Sequence, residues 1–167
     1  MLTFASSRFT DTTWSQNVLY RSQSEFSGCI YGAPQQMSPK IDTKSLVFVI
    51  EMNNSQNKVL GIGLVRNHYV TNKTYTIYDT GNFNRYIFVG KYRVDRSDLS
   101  SDLLQILDYI LFKERTHLKR GAGITTIPDK LFRHQVCCER DIKQEILDTF
   151  LKKFDMKKTE EYKEFST

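Results

Sequence analysis

The sequence has no long apolar run, few cysteines and no complete catalytic motif. No segment reaches the roughly 18 consecutive apolar residues that a transmembrane helix requires, and the opening MLTFASSRFTDTTW lacks the uninterrupted apolar core of a secretory signal. The three cysteines are an odd number at spacings that fit no disulfide framework. We therefore expect an intracellular protein, cytoplasmic or nuclear, with no membrane partner.

Acidic residues are outnumbered by basic ones. The 24 lysines and arginines against 19 acidic residues give a net charge of +5 and an isoelectric point near 9.1, which suits a polyanionic partner such as nucleic acid. With 40% hydrophobic and 26% charged residues, the 167-residue chain has a globular composition. We predict one α+β domain over residues 1–155, strand-rich over 28–94 and helical over 99–155, followed by a charged, frayed tail over 156–167.

The most informative stretch covers residues 46–66. Two apolar, β-branched runs flank the polar segment 53–57, and this pattern predicts an antiparallel hairpin. Because both runs are apolar at nearly every position, both faces of the hairpin should be covered, which places it centrally in a sheet. Gly61 and Gly63 alternate on one face and predict a bend or the close approach of another group.

Shorter strands are predicted around this hairpin. Residues 1–27 are interpreted as a loop-like lead-in anchored by aromatic residues, with one short strand or helical turn between Trp14 and Tyr20. Further strands are predicted over 29–34, 75–78, 85–89 and 90–94. Five or six strands so close in sequence favour a small curled antiparallel sheet or barrel with flanking helices.

Helical periodicity appears in the second half of the chain. Helices are predicted over 99–115, from Pro128 to Phe132, and over 139–155. In the last of these, Ile146, Phe150 and Phe154 form one apolar stripe. That stripe is a candidate docking surface for a protein partner.

A basic segment, residues 113–140, carries most of the net charge, with seven basic and three acidic residues. Within it, Lys119 and Arg120 precede Gly121-Ala122-Gly123, a flexible loop whose amides can meet a phosphate. The alternative is a helix C-terminus whose cations complement the helix dipole and whose glycine is the cap. No Gly-x-x-x-x-Gly-Lys-Ser/Thr motif accompanies the loop.

Aromatic residues make up 13% of the chain and alternate with cations in the strand-rich region. Aromatic rings beside cations on a sheet suit base stacking and phosphate pairing. The candidate stacking residues are Trp14, Tyr31 and Tyr78, and the candidate phosphate ligands are Arg85, Arg93 and Arg96, together with Lys119 and Arg120. The alternative for any one tyrosine is packing in the core or against a neighbouring strand.

Two other groups contain chemically active side chains. His134, Cys137 and Cys138 are soft metal ligands, but one irregular cluster lacks the paired spacing of a structural zinc site, and no known Cys–His nucleophile signature is present. Asp95 and Asp98, with a neighbouring aspartate, suit a metal nuclease or, more simply, the caps of the following helix. We predict no catalytic residue, no metal and no cofactor.

The segment Cys29-Ile30-Tyr31-Gly32-Ala33-Pro34, followed by the hairpin LVFVIEMNNSQNKVLGIGLV, resembles the PUA-like group of domains, which includes the EVE, ASCH and YTH domains. The resemblance covers roughly residues 14–112. The Gly-x-Lys-x-x-Glu-x-Arg signature of ASCH domains is absent, and the aromatic-cage motif of YTH domains is not reproduced. The resemblance implies a small curled barrel that binds RNA or a modified base between aromatic walls, and it transfers no catalytic residue.

Charge, aromatic content and this resemblance together favour a non-catalytic nucleic-acid-binding module, with RNA or a modified base as the ligand. Two alternatives stay open. The first is a structural or assembly protein that docks a partner through its C-terminal helices. The second is a nucleic-acid-processing enzyme.

Overall fold

The computed structural model describes residues 2–24, 26–113 and 117–165. The strands are β1 (Thr3–Phe9), β2 (Cys29–Ala33), β3 (Leu46–Asn53), β4 (Lys58–Arg66), β5 (Tyr86–Gly90), β6 (Tyr92–Asp95) and β7 (Thr125–Thr126). The helices are α1 (Asp11–Gln23), α2 (Ser101–Asp108), α3 (Asp129–Phe132), α4 (Ile142–Lys153) and α5 (Glu160–Phe165). Five strands form a mixed sheet in the order β6-β4-β3-β1-β7, while β2 and β5 form a second sheet.

The predicted hairpin is confirmed as β3 and β4, which pair antiparallel at the centre of the large sheet. All eight residues of β3 are buried, because the sheet is covered on both faces. Asn53 closes the turn: its side-chain carbonyl accepts hydrogen bonds from the amides of Ser55 at 2.9 Å and Gln56 at 3.0 Å. Asn57 has a positive φ of 53°, which asparagine adopts more readily than most residues.

Two apolar cores lie on opposite faces of β3 and β4, as the alternation of side chains along a strand requires. On one face, Phe48, Ile50 and Ile62 pack with Leu107 of α2 and Phe150 of α4. On the other face, Val47, Val49 and Val65 pack with Ile30 of β2 and Phe88 of β5. The large sheet is thus a middle layer between helices and the two-stranded sheet.

β1 shows that the prediction of a loop-like lead-in over residues 1–27 is wrong. The strand pairs in parallel with β3 along all seven of its residues, so the sheet is mixed rather than antiparallel. Ser6 and Ser7 are buried inside it. These polar residues conceal the strand from a search for apolar periodicity.

α1 begins two residues after β1 and is longer than the single turn predicted near Trp14. Thr10 and Thr13 form a reciprocal capping box, in which each hydroxyl accepts a hydrogen bond from the amide of the other, at 3.2 and 3.0 Å. Asn17 is the buried residue of this helix. Because its inward side chain is polar, no apolar stripe marks the helix in the sequence.

The smaller strands agree with the sequence at most positions. β2 occupies the predicted segment 29–34, and β5 and β6 lie within 85–95. The predicted strand 75–78 is wrong, because the amides of Ile77 and Tyr78 each donate a 2.9 Å hydrogen bond to the Asn84 side chain rather than to a neighbouring strand. The described strands form two open sheets and no closed barrel, so the predicted barrel is also wrong. The PUA-like resemblance stays a prediction.

The predicted helices are present with different limits. α2 continues into a π-helical turn over 109–113, and positions 114 and 115 of the predicted helix lie outside the described residues. α3 occupies the predicted place after Pro128. α4 begins later than predicted because the Asp141 side chain caps it by accepting a hydrogen bond from the Gln144 amide. No helix in the described part of the chain is long and apolar enough to cross a membrane.

The C-terminal segment is packed against the sheet, so the prediction of a frayed tail is wrong for residues 156–165. Met156 is fully buried, and the Phe165 ring stacks on Phe48 with centroids 5.4 Å apart. Arg66 pairs with Glu164 at 2.7 Å. The high charge of this segment suggested disorder, whereas its two apolar anchors hold it in place.

Candidate functional site

A small pocket opens where β1 ends, beside the first turn of α1, the end of β2 and the loop 117–123, which we call the basic loop. Its volume is about 200 Å³, below the roughly 300–1,000 Å³ of pockets that hold drug-sized ligands. A single ring system therefore suits it better than a larger ligand. The lining residues are Ser7, Arg8, Phe9, Thr13, Gly32, Pro34, Tyr78, Phe83 and Gly121 to Gly123.

Three aromatic rings form the walls of the pocket. Phe9 and Tyr78 are 3% and 4% exposed, whereas Phe83 is 37% exposed at the rim. Tyr78 and Phe83 meet edge to face, with centroids 6.3 Å apart. Phe83 therefore offers the accessible ring for stacking, and Tyr78 and Phe9 form the fixed part of the wall.

α1 holds these walls from behind. Asn17 donates hydrogen bonds to the Tyr78 hydroxyl at 3.0 Å and to the Ile30 carbonyl at 2.8 Å. Burial raises the pKa of Tyr78 to about 12, so its hydroxyl stays protonated at neutral pH. The Trp14 ring meets Phe9 edge to face at 5.1 Å. The pocket is thus built on a helix and strands rather than on loops alone.

Arg8 organises the basic loop, which forms the other side of the pocket. Its guanidinium donates to the carbonyl oxygens of Gly121 at 3.2 Å, Leu118 at 3.2 Å and Gly123 at 2.6 Å. The Thr125 hydroxyl accepts a further bond at 2.9 Å. The planar guanidinium can satisfy several acceptors at once, so one side chain fixes the course of the loop.

Two amides complete this arrangement. Asn54 donates to the Lys119 carbonyl and Gln35 to the Ala122 carbonyl, both at 2.9 Å. With the three carbonyls held by Arg8, five of the six carbonyls from residue 118 to 123 are engaged by side-chain donors. Most of the loop's carbonyls are thus directed to the protein itself, and the exposed Lys119 and Arg120 give the loop a positive surface, which would suit an anionic ligand.

The electrostatic balance at the pocket is positive. Arg8 is bonded to neutral acceptors, and burial lowers its pKa without an opposing carboxylate among the described residues. Lys119 and Arg120 are exposed and form no ion pair with a described residue. A partly buried cation without a counter-charge is unfavourable in isolation, so an anionic or electron-rich ligand would complement the charge of this site.

Tyr31 and Arg93, two of the predicted contact residues, belong to a buried ionic cluster instead. Arg93 binds the buried Glu51 carboxylate through two hydrogen bonds of 2.9 and 2.5 Å, and the Tyr31 hydroxyl donates to the same carboxylate at 2.8 Å. Tyr31 is 1% exposed. Neither residue is free to stack on a base or neutralise a phosphate, which corrects the sequence-based assignment.

Gly61 and Gly63 make room for this cluster, as their alternation predicted. A Cβ atom at Gly61 would overlap the Arg93 guanidinium, and one at Gly63 would overlap the Tyr31 hydroxyl and the Cys29 thiol. Although burial opposes it, the Glu51 carboxylate raises the pKa of Arg93. The cluster is a structural ion pair inside the fold.

Trp14 lies over this cluster and does not line the pocket. The guanidinium carbons of Arg21 and Arg93 lie 5.1 and 5.3 Å from its ring centre, a cation–π geometry. Its predicted role as a pocket wall is therefore corrected to a supporting one, through its contact with Phe9. Tyr78 is the predicted stacking residue that the structure places in the pocket.

The remaining predicted cations fall into two classes. Arg96 is bound to the Val59 carbonyl at 2.7 Å and to Asp108 at 3.1 Å, which makes it a structural residue. Arg85 is exposed and lies over the Tyr86 ring at 5.4 Å, two residues from Phe83. Arg85 is therefore exposed and accessible to a ligand, as are Lys119 and Arg120, but none of the three lines the pocket.

The alternative catalytic groups have structural partners. Asp95 pairs with Arg93 at 3.1 Å and Asp98 with Lys153 at 2.5 Å. Asp95 also accepts a hydrogen bond from the Ser97 amide at 3.3 Å. Asp95 thus caps the short 3₁₀ turn over Arg96–Asp98, whereas α2 is capped by Ser100, whose hydroxyl accepts from the Leu103 amide. The prediction that these aspartates cap the following helix is therefore wrong.

The C-terminal stripe, predicted as a docking surface, is used inside the fold. Ile146 and Phe150 are fully buried, and Phe150 meets the Phe48 ring at 5.1 Å. Phe154 packs on Tyr92 at 5.1 Å. The stripe serves the protein's own core, which corrects its assignment as a partner surface.

Sequence reasoning missed the residues that shape the pocket, chiefly Arg8, Ser7 and Phe83. Arg8 lies 115 residues from Gly123 in the sequence, and no local pattern connects them. The one available signal was an arginine near the end of the short segment TFASSRF, which has no apolar alternation. Once that segment is assigned as a strand, a charged residue at its end indicates a functional or structural partner.

Comparison with protein-family models finds no matching family for this chain, and comparisons with curated proteins and with solved structures find no significant similarity.

Proposed function

We propose that the protein is a non-catalytic module that binds single-stranded nucleic acid, with RNA favoured. One base enters the aromatic pocket and stacks on the exposed Phe83 ring. The buried rings of Tyr78 and Phe9 form the rest of the wall around it. The adjoining phosphates meet the basic loop through Lys119, Arg120 and the loop amides. Stacking then supplies selectivity, and phosphate contacts supply affinity.

One observation carries this proposal: five of the six carbonyl groups from residue 118 to residue 123 accept hydrogen bonds from Arg8, Asn54 and Gln35. A loop with most of its carbonyls engaged offers mainly donors outward, and Lys119 and Arg120 on the same loop form no ion pair with a described residue. Such a surface attracts a phosphate group and disfavours a cationic ligand.

The pocket geometry selects an unpaired strand. A base in a duplex is stacked and paired, so it enters a lateral pocket only after being turned out of the helix. Single-stranded RNA presents unstacked bases without that penalty, and it is the form that most sequence-reading RNA modules recognise. Duplex RNA and duplex DNA should therefore bind more weakly than a single strand of the same length.

The test is binding of a labelled single-stranded RNA of about six nucleotides across a salt series. For wild type, the affinity falls as salt rises. For Lys119→Ala/Arg120→Ala, the slope of log K against log salt is reduced by about 1.4, because two phosphate contacts are lost at about 0.7 each. A wild-type affinity that does not change with salt overturns the proposal.

The matched control is Lys91→Ala/Lys152→Ala, which removes the same charge at two exposed positions away from the pocket. The control should keep the wild-type slope. Phe83→Ala provides the second arm: it should weaken binding at every salt concentration with an unchanged slope, since it removes stacking without removing charge. An equal loss of slope in both double variants would show a nonspecific charge effect and overturn the site.

A further inference from the structure

Ser7, a largely buried residue of β1, lies at the pocket. Ser7 is 6% exposed and lines the cavity. No hydrogen bond joins its hydroxyl to another described residue, in contrast to Ser6, which accepts from Arg8 at 3.4 Å. Among the described side chains, Asn54 Oδ1 is the polar atom that is fully buried without a partner, so the Ser7 hydroxyl keeps contact with the cavity, where a ligand can reach it.

Arg8 supplies the second free group. Its Nη2 atom carries two hydrogens and makes one hydrogen bond among the described residues, to the Gly123 carbonyl. One N–H of a positively charged guanidinium therefore remains for a ligand in the pocket that Arg8 lines.

Acceptors from the basic loop are not available to balance these donors. The carbonyls of Gly121, Ala122 and Gly123 are all engaged by Arg8 or Gln35. The polar side of the pocket is thus rich in donors and positive in potential.

We infer that the pocket selects a base by its carbonyl oxygens, and that uracil is preferred to cytosine. This inference rests on the proposed function. Uracil presents a carbonyl where cytosine presents an amino group, and an amino group facing the Arg8 guanidinium would place donor against donor. The small volume, about 200 Å³, favours a base with one ring.

The test compares the binding of oligo(U) and oligo(C) RNA of about six nucleotides to the 167-residue chain. The two probes have the same length and phosphate charge, so the salt-dependent part of the affinity cancels in their ratio. Wild type should bind oligo(U) about 5- to 30-fold more tightly, the discrimination expected for one matched polar edge. Equal binding of the two probes, or a preference for oligo(C), overturns the inference.

Two serine variants test whether the preference for oligo(U) over oligo(C) depends on the Ser7 hydroxyl. Ser7→Ala should narrow the ratio by weakening oligo(U), while Ser15→Ala, an exposed serine of α1 outside the pocket, should leave the ratio unchanged. If the ratio of oligo(U) affinity to oligo(C) affinity is unchanged in Ser7→Ala, the Ser7 hydroxyl does not take part in selecting the base. If both probes bind equally and their binding depends on salt, the uracil preference is wrong but the proposed RNA binding stands. If neither probe binds, the proposed function is wrong as well.

Discussion

Arg8 and Gly123 are joined by a 2.6 Å hydrogen bond from the guanidinium Nη2 to the carbonyl oxygen, across 115 residues of sequence. The bond connects β1, in the middle of the structure, with the basic loop on its surface. Because the same guanidinium also holds the carbonyls of Leu118 and Gly121, the loop takes its conformation from the sheet. The aromatic pocket and the cationic loop therefore share one organising side chain.

Replacing Arg8 by lysine separates its charge from its geometry. Lysine keeps the positive charge but lacks the planar fork that bridges several acceptors. We expect Arg8→Lys to weaken single-stranded RNA binding by about tenfold and to lower the free energy of unfolding by about 1–2 kcal/mol. Binding isotherms and urea unfolding measure the two effects.

Arg133→Lys is the control for this substitution, because Arg133 is exposed and lies outside the pocket. It should match wild type in both measurements. Amide hydrogen exchange over residues 117–123 should accelerate in Arg8→Lys and not in the control. An Arg8→Lys protein with wild-type affinity would refute the organising role of this residue.

Gly63→Ala tests the close packing beneath the hairpin. The added methyl group would overlap the Tyr31 hydroxyl and the Cys29 thiol, two groups that are held in the core. We expect the free energy of unfolding to fall by about 2–3 kcal/mol, as for other overpacked cores. Gly81→Ala is the matched control, since no atom lies within 4 Å of a Cβ at that position; its change should stay within about 0.5 kcal/mol. Similar changes in both variants would contradict the packing described.

Thiol reactivity should distinguish the three cysteines. Burial raises the pKa of Cys29 to about 12 and also raises that of Cys137, while Cys138 is exposed. Since the thiolate is the reactive form, Cys29 and Cys137 are protonated and shielded near pH 8. A disulfide reagent should therefore label one thiol quickly in the native protein, and none quickly in Cys138→Ala. Rapid labelling of a second thiol under native conditions would show that a buried cysteine is accessible.

The features that the sequence predicted well are those encoded by neighbouring residues. The hairpin over 46–66 combines two continuous apolar runs with an Asn-rich turn, and both signals lie within one short segment. Gly61 and Gly63 marked the place where Tyr31 and Arg93 approach the strand. Local alternation was enough to indicate a close approach, although not which groups make it.

The features that were missed depend on distant partners. β1 is a buried strand with serines inside it, and it is stabilised by pairing with β3 rather than by apolar alternation. Trp14, Tyr31 and Arg93 were predicted as contact residues because aromatic and cationic residues occur both in buried ion clusters and in ligand sites. Residue type alone does not distinguish the two environments. Burial distinguishes the two, and burial follows from tertiary packing.

Glu51→Gln tests whether that ion cluster holds the two sheets in place. Glu51 is 1% exposed, accepts two hydrogen bonds from Arg93 and one from Tyr31, and its neutral isostere would leave Arg93 with Asp95 as its remaining ion-pair partner. Because a buried cation that loses its main counter-charge is strongly unfavourable, we expect the free energy of unfolding to fall by about 3 kcal/mol.

Urea unfolding measures this loss, with Glu160→Gln as the control. The Glu160 side chain is 80% exposed, so the loss of its ion pair should change the free energy of unfolding little. The slope of RNA affinity against salt should stay at the wild-type value in the folded Glu51→Gln protein, because the cluster is separate from the phosphate-binding loop. A loss below about 1 kcal/mol would show that Arg93 is stabilised by groups other than Glu51, and the ionic cluster would then not be what holds the sheets together.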